Sequence, residues 1–588
     1  MKSKLLSGMF LSPTLIGRKR TPVTPGRRKQ DFRFGLLIVA ISMAVLLPIV
    51  FLGIPNGADL ANHMRFAQPF LEGIQSGHWH PGWLAESNDG FGDPRFRFYP
   101  PGFYYLLSSL RVLFGGWYSA TIVAALLISA VGGLGAYYWA RAICTPKVAF
   151  WAGVLFTISP YHVNELYQAS LLSEYAACSI LPFAFAFVER VCRRRSVADA
   201  AGLAASVALL ILTHLPLAVI GSISLTVYAL LRIERKHFGP TLIRLGCSGL
   251  LGLAASAFFW TTVVTELSWI KGSSTDPNPY YDYRLNFLFS PAALANRNTW
   301  YANILALAAI GFLLPGIVLV RVWFKNRRYR GLRPALILSV LTFLMATSLS
   351  RPIWALIPKL WEIQFPWRWL SITSLAGSLL VAASLPKWKA IFRTHLRPRD
   401  LVVGLAFALS LAFIVSEIVV DCDYLNRTRF NTMAKESRGA ISFKDWLPVT
   451  ARELLHVDLK KGKVDAGERS VVLQSWEPER RQFQVAAGPA TQARVRTYYY
   501  PHWVATADGQ QLPTRAAEDG AVLISIPPNA VNVTLEFREP ARVGISALIS
   551  FLGWFLIGAL CVTHALTKKS RSQAANPARH SVLLANSQ

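Results

Sequence analysis

Two ionisable side chains, Asp59 and His63, stand four residues apart in "IPNGADLANH" (Ile54 to His63), directly after the first apolar stretch of the chain. On a helix beginning there, that spacing sets both on one face. A carboxylate able to take a proton, with an imidazole to orient it, is the equipment of a general base acting on a hydroxyl. More ionisable groups follow at the edges of apolar runs: Glu174 in "YQASLLSEYAA", His214 in "LTHLPL", Asp282 in "NPYYDYRLN" and Arg368 in "WEIQFPWRWL". Such residues are costly beside hydrocarbon unless they pair or line a wet cavity, so each is a candidate for function. Each also has a plainer reading. Asn56 and Asp59 suit helix caps, Glu174 suits a helix N-terminus, and His214 suits a structural histidine. Arg368, between Trp367 and Trp369, suits an interfacial anchor.

The elements that position these residues are set by composition. The chain has 588 residues, 53% hydrophobic and 16% charged, with a mean hydropathy of +0.35. That balance excludes a soluble enzyme and indicates a polytopic membrane protein. The six cysteines are scattered and suggest neither a disulfide framework nor a metal quartet. The net charge of +29 comes from short Lys/Arg clusters between apolar runs, a topology signal and not a nucleic-acid surface. Those clusters also suit contact with anionic membrane lipids.

At roughly 20 apolar residues per span, spans are expected near 35 to 54, 117 to 140, 147 to 160, 176 to 190, 198 to 213, 217 to 232, 241 to 263, 300 to 323, 334 to 350, 366 to 385, 401 to 420 and 543 to 566. About twelve spans, with the basic clusters on the side of the basic N-terminus, put both termini in the cytoplasm. The expected organisation is a basic tail (1 to 34), a transmembrane domain (35 to 420) with an outer loop at 55 to 116, an extracytoplasmic region (421 to 541), a last helix (542 to 566) and a second tail (567 to 588). Gly35 to Ile54 lacks a small-residue cleavage site after it and reads as a retained helix.

In the outer loop, Leu60, Met64, Ala67, Leu71 and Ile74 recur at helical spacing, leaving Asp59, His63 and Phe66 on another face. Pro69 is expected to kink or end that helix. A second amphipathic run, Phe103 to Phe114, is too short to span, so both runs are expected to lie along the membrane surface. Between them "GHWHPGWLAESNDGFGDPRFRFYPPG" (Gly77 to Gly102) has turn chemistry and aromatics, suited equally to a ring-shaped polar ligand and to a packed loop. His78 and His80 form only a weak metal pattern. Residues 421 to 541 read as an all-β module, with "SVVLQSW", "RQFQVAA", "QARVRTYYY", "AVLISIP" and "AVNVTLEF" as strands and Asp508-Gly509 at a hairpin turn. A small sandwich serving as lid or acceptor-docking element is expected.

The order of these motifs, from Asp59 and His63 through "GHWHPGW…NDGFGDPRFRFYPP", Glu174, "THLP" and "QFPWRW" to "YYYPHWVATADGQQLP", resembles bacterial membrane proteins called pyruvoyl-tetrahydropterin-synthase-related. Those proteins are similar to glycosyltransferases of the GT-C superfold. The resemblance implies a GT-C-like helical membrane domain with a C-terminal extracytoplasmic all-β domain inserted before the last helix. It implies a transferase in the bacterial cytoplasmic membrane that moves a sugar from a polyprenyl-phosphate donor to an extracytoplasmic glycan or lipid acceptor. It maps the essential acidic residue of the first outer loop onto Asp59. His63 is then expected to orient Asp59 or bind the sugar, and Arg368 to neutralise the departing phosphate. Glu174, His214, Asp282, Tyr99 and Trp367 complete the expected substrate-binding set, with a divalent cation (Mg or Mn) as a possible cofactor. One departure stands out: related sequences often carry an arginine shortly before the glutamate, whereas here "QAS" (Gln168 to Ser170) has none, which shifts the phosphate role to Arg368. The rival readings are a lipid-linked-sugar flippase, which predicts internal repeats and polar helix centres, and a non-catalytic polymer-assembly scaffold.

Overall fold

In hydrocarbon, backbone N–H and C=O groups must be satisfied within the chain, and long apolar runs therefore fold as helices. The computed structural model describes residues 25–194, 196–272, 281–295, 297–319, 331–357, 359–394, 396–438, 446–452 and 462–574. The ends of both basic tails and most of the cluster Arg321 to Arg333 lie outside the described residues.

The helices are α1 (Pro25–Val45), α2 (Leu47–Phe51), α3 (Leu60–Gln75), α4 (Gly102–Phe114), α5 (Trp117–Ile143), α6 (Pro146–Thr157), α7 (Pro160–Tyr167), α8 (Leu172–Arg193), α9 (Val197–Thr213) and α10 (Leu215–Arg232). They continue with α11 (Phe238–Ala255), α12 (Ala257–Glu266), α13 (Pro291–Ala295), α14 (Arg297–Ile317), α15 (Arg333–Met345), α16 (Arg351–Leu356), α17 (Leu370–Ile391), α18 (Pro398–Val419), α19 (Arg427–Ser437) and α20 (Ala541–Ala574). Among the described residues, eight helices are long and apolar enough to cross a membrane: α5, α8, α10, α14, α18, α20 and, with their short lead-in turns, α11 and α17. The other expected spans fall on helices that are shorter or, like α1 with its 21 residues, carry several charges. The first is divided at Leu46, where Pro48 has no N–H to continue the ladder, and α6 has 12 residues. α5 packs on α6 and α8, α8 on α9, and α17 on α14 and α15.

One end of the bundle is tied together by basic residues. Arg141 at the end of α5 pairs with Asp31 of α1, and Arg193 of α8 and Arg232 of α10 share the buried Glu189. The opposite end carries Asp59, Glu174 at the start of α8, His214 between α9 and α10, and Arg368 just before α17.

At that opposite end, β1 (Ile54–Pro55) pairs with β2 (Tyr424–Leu425), joining the start of the outer loop to the chain leaving α18. Residues 424 to 437, expected within the β module, instead supply this strand and α19. Asn426 accepts from the Arg429 N–H as a helix cap, and Phe430 and Ala434 are buried where α19 packs on α3. The remaining strands form two antiparallel sheets. One has the order β3 (Val464–Asp465), β6 (Thr491–Tyr498), β10 (Ala521–Ile526), β9 (Thr514–Ala516). The other has the order β4 (Val471–Glu477), β5 (Arg480–Val485), β11 (Val531–Phe537), β7 (Trp503–Ala507), β8 (Gln510–Leu512). Inward alternation along β11 buries Val531, Val533, Leu535 and Phe537. Asp508 and Gly509, both at positive φ, turn β7 into β8. The chain is thus a helical membrane protein with a C-terminal all-β region before its last helix.

Pro69 neither ends nor divides α3, which continues to Gln75. The Gln68 amide donates both to Met64 O at 3.1 Å and to Ala434 O of α19 at 2.8 Å, clamping the turn that proline weakens.

Candidate functional site

Asp59 occupies the N-cap position of α3 yet makes no side-chain capping bond. Its carboxylate is half-buried and accepts from Asn62 Nδ2 at 2.6 Å through Oδ1. The loop that presents it is fixed by the "QAS" turn: Ala58 N–H donates to Gln168 O at 3.2 Å, Asp59 N–H to Ala169 O at 3.0 Å, and Gly57 N–H to Ser170 Oγ at 3.1 Å. A Cβ at Gly57 would lie 2.5 Å from Ser170 Oγ, so only glycine permits this approach. The segment that lacks the family's arginine here holds the loop bearing the candidate base.

His63 is buried, as is Phe66. Its Nε2 accepts from the Leu172 N–H at 3.0 Å, which leaves Nδ1 to donate to the Tyr104 hydroxyl at 2.9 Å. Burial lowers its pKa, against the opposing charge of Asp59. Both ring nitrogens are committed to joining α3, α4 and α8, so the imidazole is a neutral strut; Asn62, not His63, orients Asp59.

Glu174, 1% exposed, is the centre of a second group. It accepts from Tyr161 OH at 2.7 Å and from Arg368 Nε at 2.9 Å, and His214 Nε2 lies 3.6 Å away. His214 Nδ1 accepts from the Leu217 N–H at 3.3 Å, capping α10. Arg368 donates from Nη1 to Ile363 O at 2.7 Å, and its guanidinium lies 5.0 Å from the Phe365 ring centre. Trp367, half-buried, stacks on Phe365 at 4.5 Å. Asp282 stands apart: it accepts from the Arg284 N–H at 2.9 Å and caps its own turn.

Tyr99 joins the two groups. Its ring meets Phe66 edge-on at 4.9 Å and Tyr104 at 5.8 Å. Burial, aided by the charge of Asp59, pushes its hydroxyl up to about 12, while Arg368 acts in the other direction.

Glu165 was not singled out by sequence. It is 1% exposed, with Oε2 buried and lacking a protein partner. Burial and then Glu174 raise its pKa, while Arg368 lowers it. Its only signal is a second glutamate nine residues before Glu174 in "NELYQASLLSE".

Much of the Gly77 to Gly102 segment packs against the β module. Trp83 meets Trp503 and Phe537 of the β module at 5.5 and 5.7 Å. Arg97, 2% exposed, donates to Glu266 from Nε at 2.6 Å and Nη2 at 2.8 Å, and to Glu539 at 2.5 and 3.0 Å. Tyr500, His502 and Arg542 also converge on Glu266, at 2.7, 3.1 and 2.7 Å. His78 pairs with Glu479 at 3.0 Å. The only sequence hint is that "DPRFRFYPP" and "YYYPHW" are both rich in aromatics.

Among the described residues, no three His, Cys, Asp or Glu side chains are placed to share a metal ion. Glu174 is already paired with a guanidinium and Asp282 caps its own turn, so these residues do not fit a divalent cation.

Comparison with solved structures finds a mycobacterial arabinofuranosyltransferase, AftD, at 17% identity and a TM-score of 0.41, over 66% of this chain and 26% of that one. It also finds ArnT from Cupriavidus metallidurans bound to undecaprenyl phosphate, at 16% identity and a TM-score of 0.41, over 68% of each chain. The apo oligosaccharyltransferase of Archaeoglobus fulgidus matches at 13% identity and a TM-score of 0.37, over 71% of this chain and 57% of that one. The chain spans about a quarter of the length of AftD. No curated protein matches the sequence. The profile described as "6-pyruvoyl-tetrahydropterin synthase related domain; membrane protein" matches residues 96–425, more than half of the sequence and including Tyr99, Glu174, His214 and Arg368. The chain belongs to that membrane-protein family.

Proposed function

We propose that the protein is a GT-C-type glycosyltransferase that moves a sugar from a polyprenyl-phosphate donor to an extracytoplasmic acceptor with inversion. The observation that carries this reading is that Asp59 and the buried Arg368–Glu174 pair stand at the same end of the helical domain, at the starts of α3, α8 and α17. A lipid phosphate cannot leave the bilayer, so its chemistry belongs where helix ends meet water. These groups lie at one such end, opposite the basic clusters. On the same reading the protein lies in the bacterial cytoplasmic membrane, with both termini cytoplasmic and this end outside.

Asp59 Oδ1 is occupied by Asn62, so Oδ2 takes the proton of the acceptor hydroxyl. The hydroxyl oxygen attacks the anomeric carbon, the bond from that carbon to the phosphate oxygen breaks, and the polyprenyl phosphate leaves with the electron pair. Arg368 Nη2, which neither Glu174 nor Ile363 engages, meets the developing negative charge. Tyr99 and Trp367 offer aromatic faces to the sugar.

The test is incubation of purified protein in nanodiscs with a panel of labelled polyprenyl-phosphate sugars. Cleavage of the sugar–phosphate bond is expected with one of them. Translocation of intact donor without cleavage would establish a flippase instead, and neither activity across the panel would favour the scaffold.

A further inference from the structure

Asp59, at the N-cap of α3, and Asn62 and Arg65, spaced three residues apart along it, form a chain: Asn62 Nδ2 donates to Asp59 Oδ1 at 2.6 Å, and Arg65 Nη1 donates to Asn62 Oδ1 at 3.2 Å. Arg65 Nε is buried and has no protein acceptor. A second guanidinium packs on the same helix: Arg95, 0% exposed, has its Cζ 4.3 Å from the ring centre of Phe66, the residue after Arg65, and its charge is felt at Arg65. Arg95 donates to Asp93 from Nε at 3.0 Å and Nη2 at 2.7 Å, with Ser87 Oγ at 3.5 Å from Nη2. Its Nη1 is buried without a protein acceptor. Burial lowers the pKa of Arg65, Arg95 adds to that effect, and Asp59 opposes it.

We infer that Arg65 and Arg95 bind an anionic group of the acceptor, a phosphate or a carboxylate, beside the hydroxyl that Asp59 deprotonates. Two neighbouring cations with buried, unpaired N–H groups call for a ligand with several lone pairs and negative charge. Asp93 balances Arg95, and Asp59 balances Arg65 through Asn62. When Asp59 takes up a proton that second balance is lost, and a substrate anion at Arg65 restores it. The inference rests on the glycosyl-transfer reading. It assigns the anion to the acceptor because in-line displacement puts the base and the leaving phosphate on opposite faces of the anomeric carbon. Arg65 is linked to the base, and Arg368 faces the leaving group.

The experiment reads the thermal midpoint of the full-length protein in nanodiscs with inorganic phosphate against ionic-strength-matched chloride. Phosphate is expected to raise the wild-type midpoint by about 2–4 °C, an effect lost in Arg65→Gln and retained in Arg368→Gln. Because Arg95→Gln also strips Asp93 of its partner, the half-exposed Arg65 carries the test, with Arg65→Lys expected to keep part of the shift. Equal midpoints in phosphate and chloride, or a shift lost only in Arg368→Gln, would overturn the site. A second arm compares glucose 6-phosphate with undecaprenyl phosphate. An Arg65-dependent shift for the soluble sugar phosphate supports the acceptor assignment, whereas one confined to the lipid overturns it. These readouts need no turnover, so donor cleavage can fail while the anion site stands.

Discussion

Arg368 and Glu174, 194 residues apart in sequence, meet at 2.9 Å with 7% and 1% of their surface exposed. A carboxylate and a guanidinium this deeply buried hold each other in place, and removing either leaves an uncompensated charge. Glu174→Ala or Arg368→Ala is expected to cost about 3–5 kcal/mol of stability. The paired change Glu174→Leu with Arg368→Met is expected to recover most of that loss without recovering sugar transfer. Thermal denaturation in detergent, run as a double-mutant cycle beside a transfer assay, checks both halves.

Arg97 ties the outer loop to the end of α12 through Glu266 and to the link between β11 and α20 through Glu539. Arg97→Ala removes two charge-assisted bonds from Glu266, which keeps Arg542 at 2.7 Å, and is expected to destabilise by about 1.5–3 kcal/mol. Limited proteolysis should show the β module released before the helical domain melts. Unchanged cleavage rates would mean that the aromatic contacts around Trp83 hold it alone.

His63 is expected to behave as a strut. His63→Ala takes from the Leu172 N–H its imidazole acceptor, leaving Ser170 O at 3.0 Å, and takes from the buried Tyr104 hydroxyl its donor, costing about 1–3 kcal/mol. The remaining activity should keep the wild-type pH profile, because the imidazole already donates and accepts in its neutral form. A profile that changes shape in the variant would return His63 to the proton path.

His78 gives the contact between outer loop and β module a pH dependence. The hydrogen bond to Glu479 raises its pKa above the ordinary 6.5, and the nearby Glu479, Glu539 and Glu477 charges add to this, while partial burial opposes it. A raised folded-state pKa means that the stabilisation is fully present below 6.5 and is lost as pH climbs through the raised value. Comparing thermal midpoints of wild type and His78→Gln between about pH 5.5 and 8.5 should show the wild type's advantage at the acid end only. An advantage that grows with pH would contradict the assignment.

What the sequence disclosed followed from hydrocarbon's intolerance of unpaired polar groups. Apolar run lengths placed α5, α8, α14, α17, α18 and α20 within a few residues, and the ionisable residues at their edges named Glu174, His214 and Arg368 before any coordinates. Period-two alternation likewise revealed β5, β6, β10 and β11. What it hid were contacts between distant segments. Nothing local to Arg97 tells that its partners are Glu266 and Glu539, and nothing around Gln168 to Ser170 tells that this turn grips Gly57 to Asp59. The partners of His63, the Leu172 N–H and the Tyr104 hydroxyl, come from segments distant in sequence. Helix α3 runs on past Pro69 to Gln75, with the Gln68 side chain clamping the weakened turn.

The central claim is that Asp59 takes the acceptor's proton. The direct measurement is the transfer rate of Asp59→Asn against wild type, in nanodiscs, with the polyprenyl-phosphate sugar that the wild type uses. Asparagine keeps the shape and the contact to Asn62 while losing basicity, so the rate is expected to fall about 10²–10⁴-fold with donor binding unchanged. A variant that transfers sugar at the wild-type rate would contradict the account.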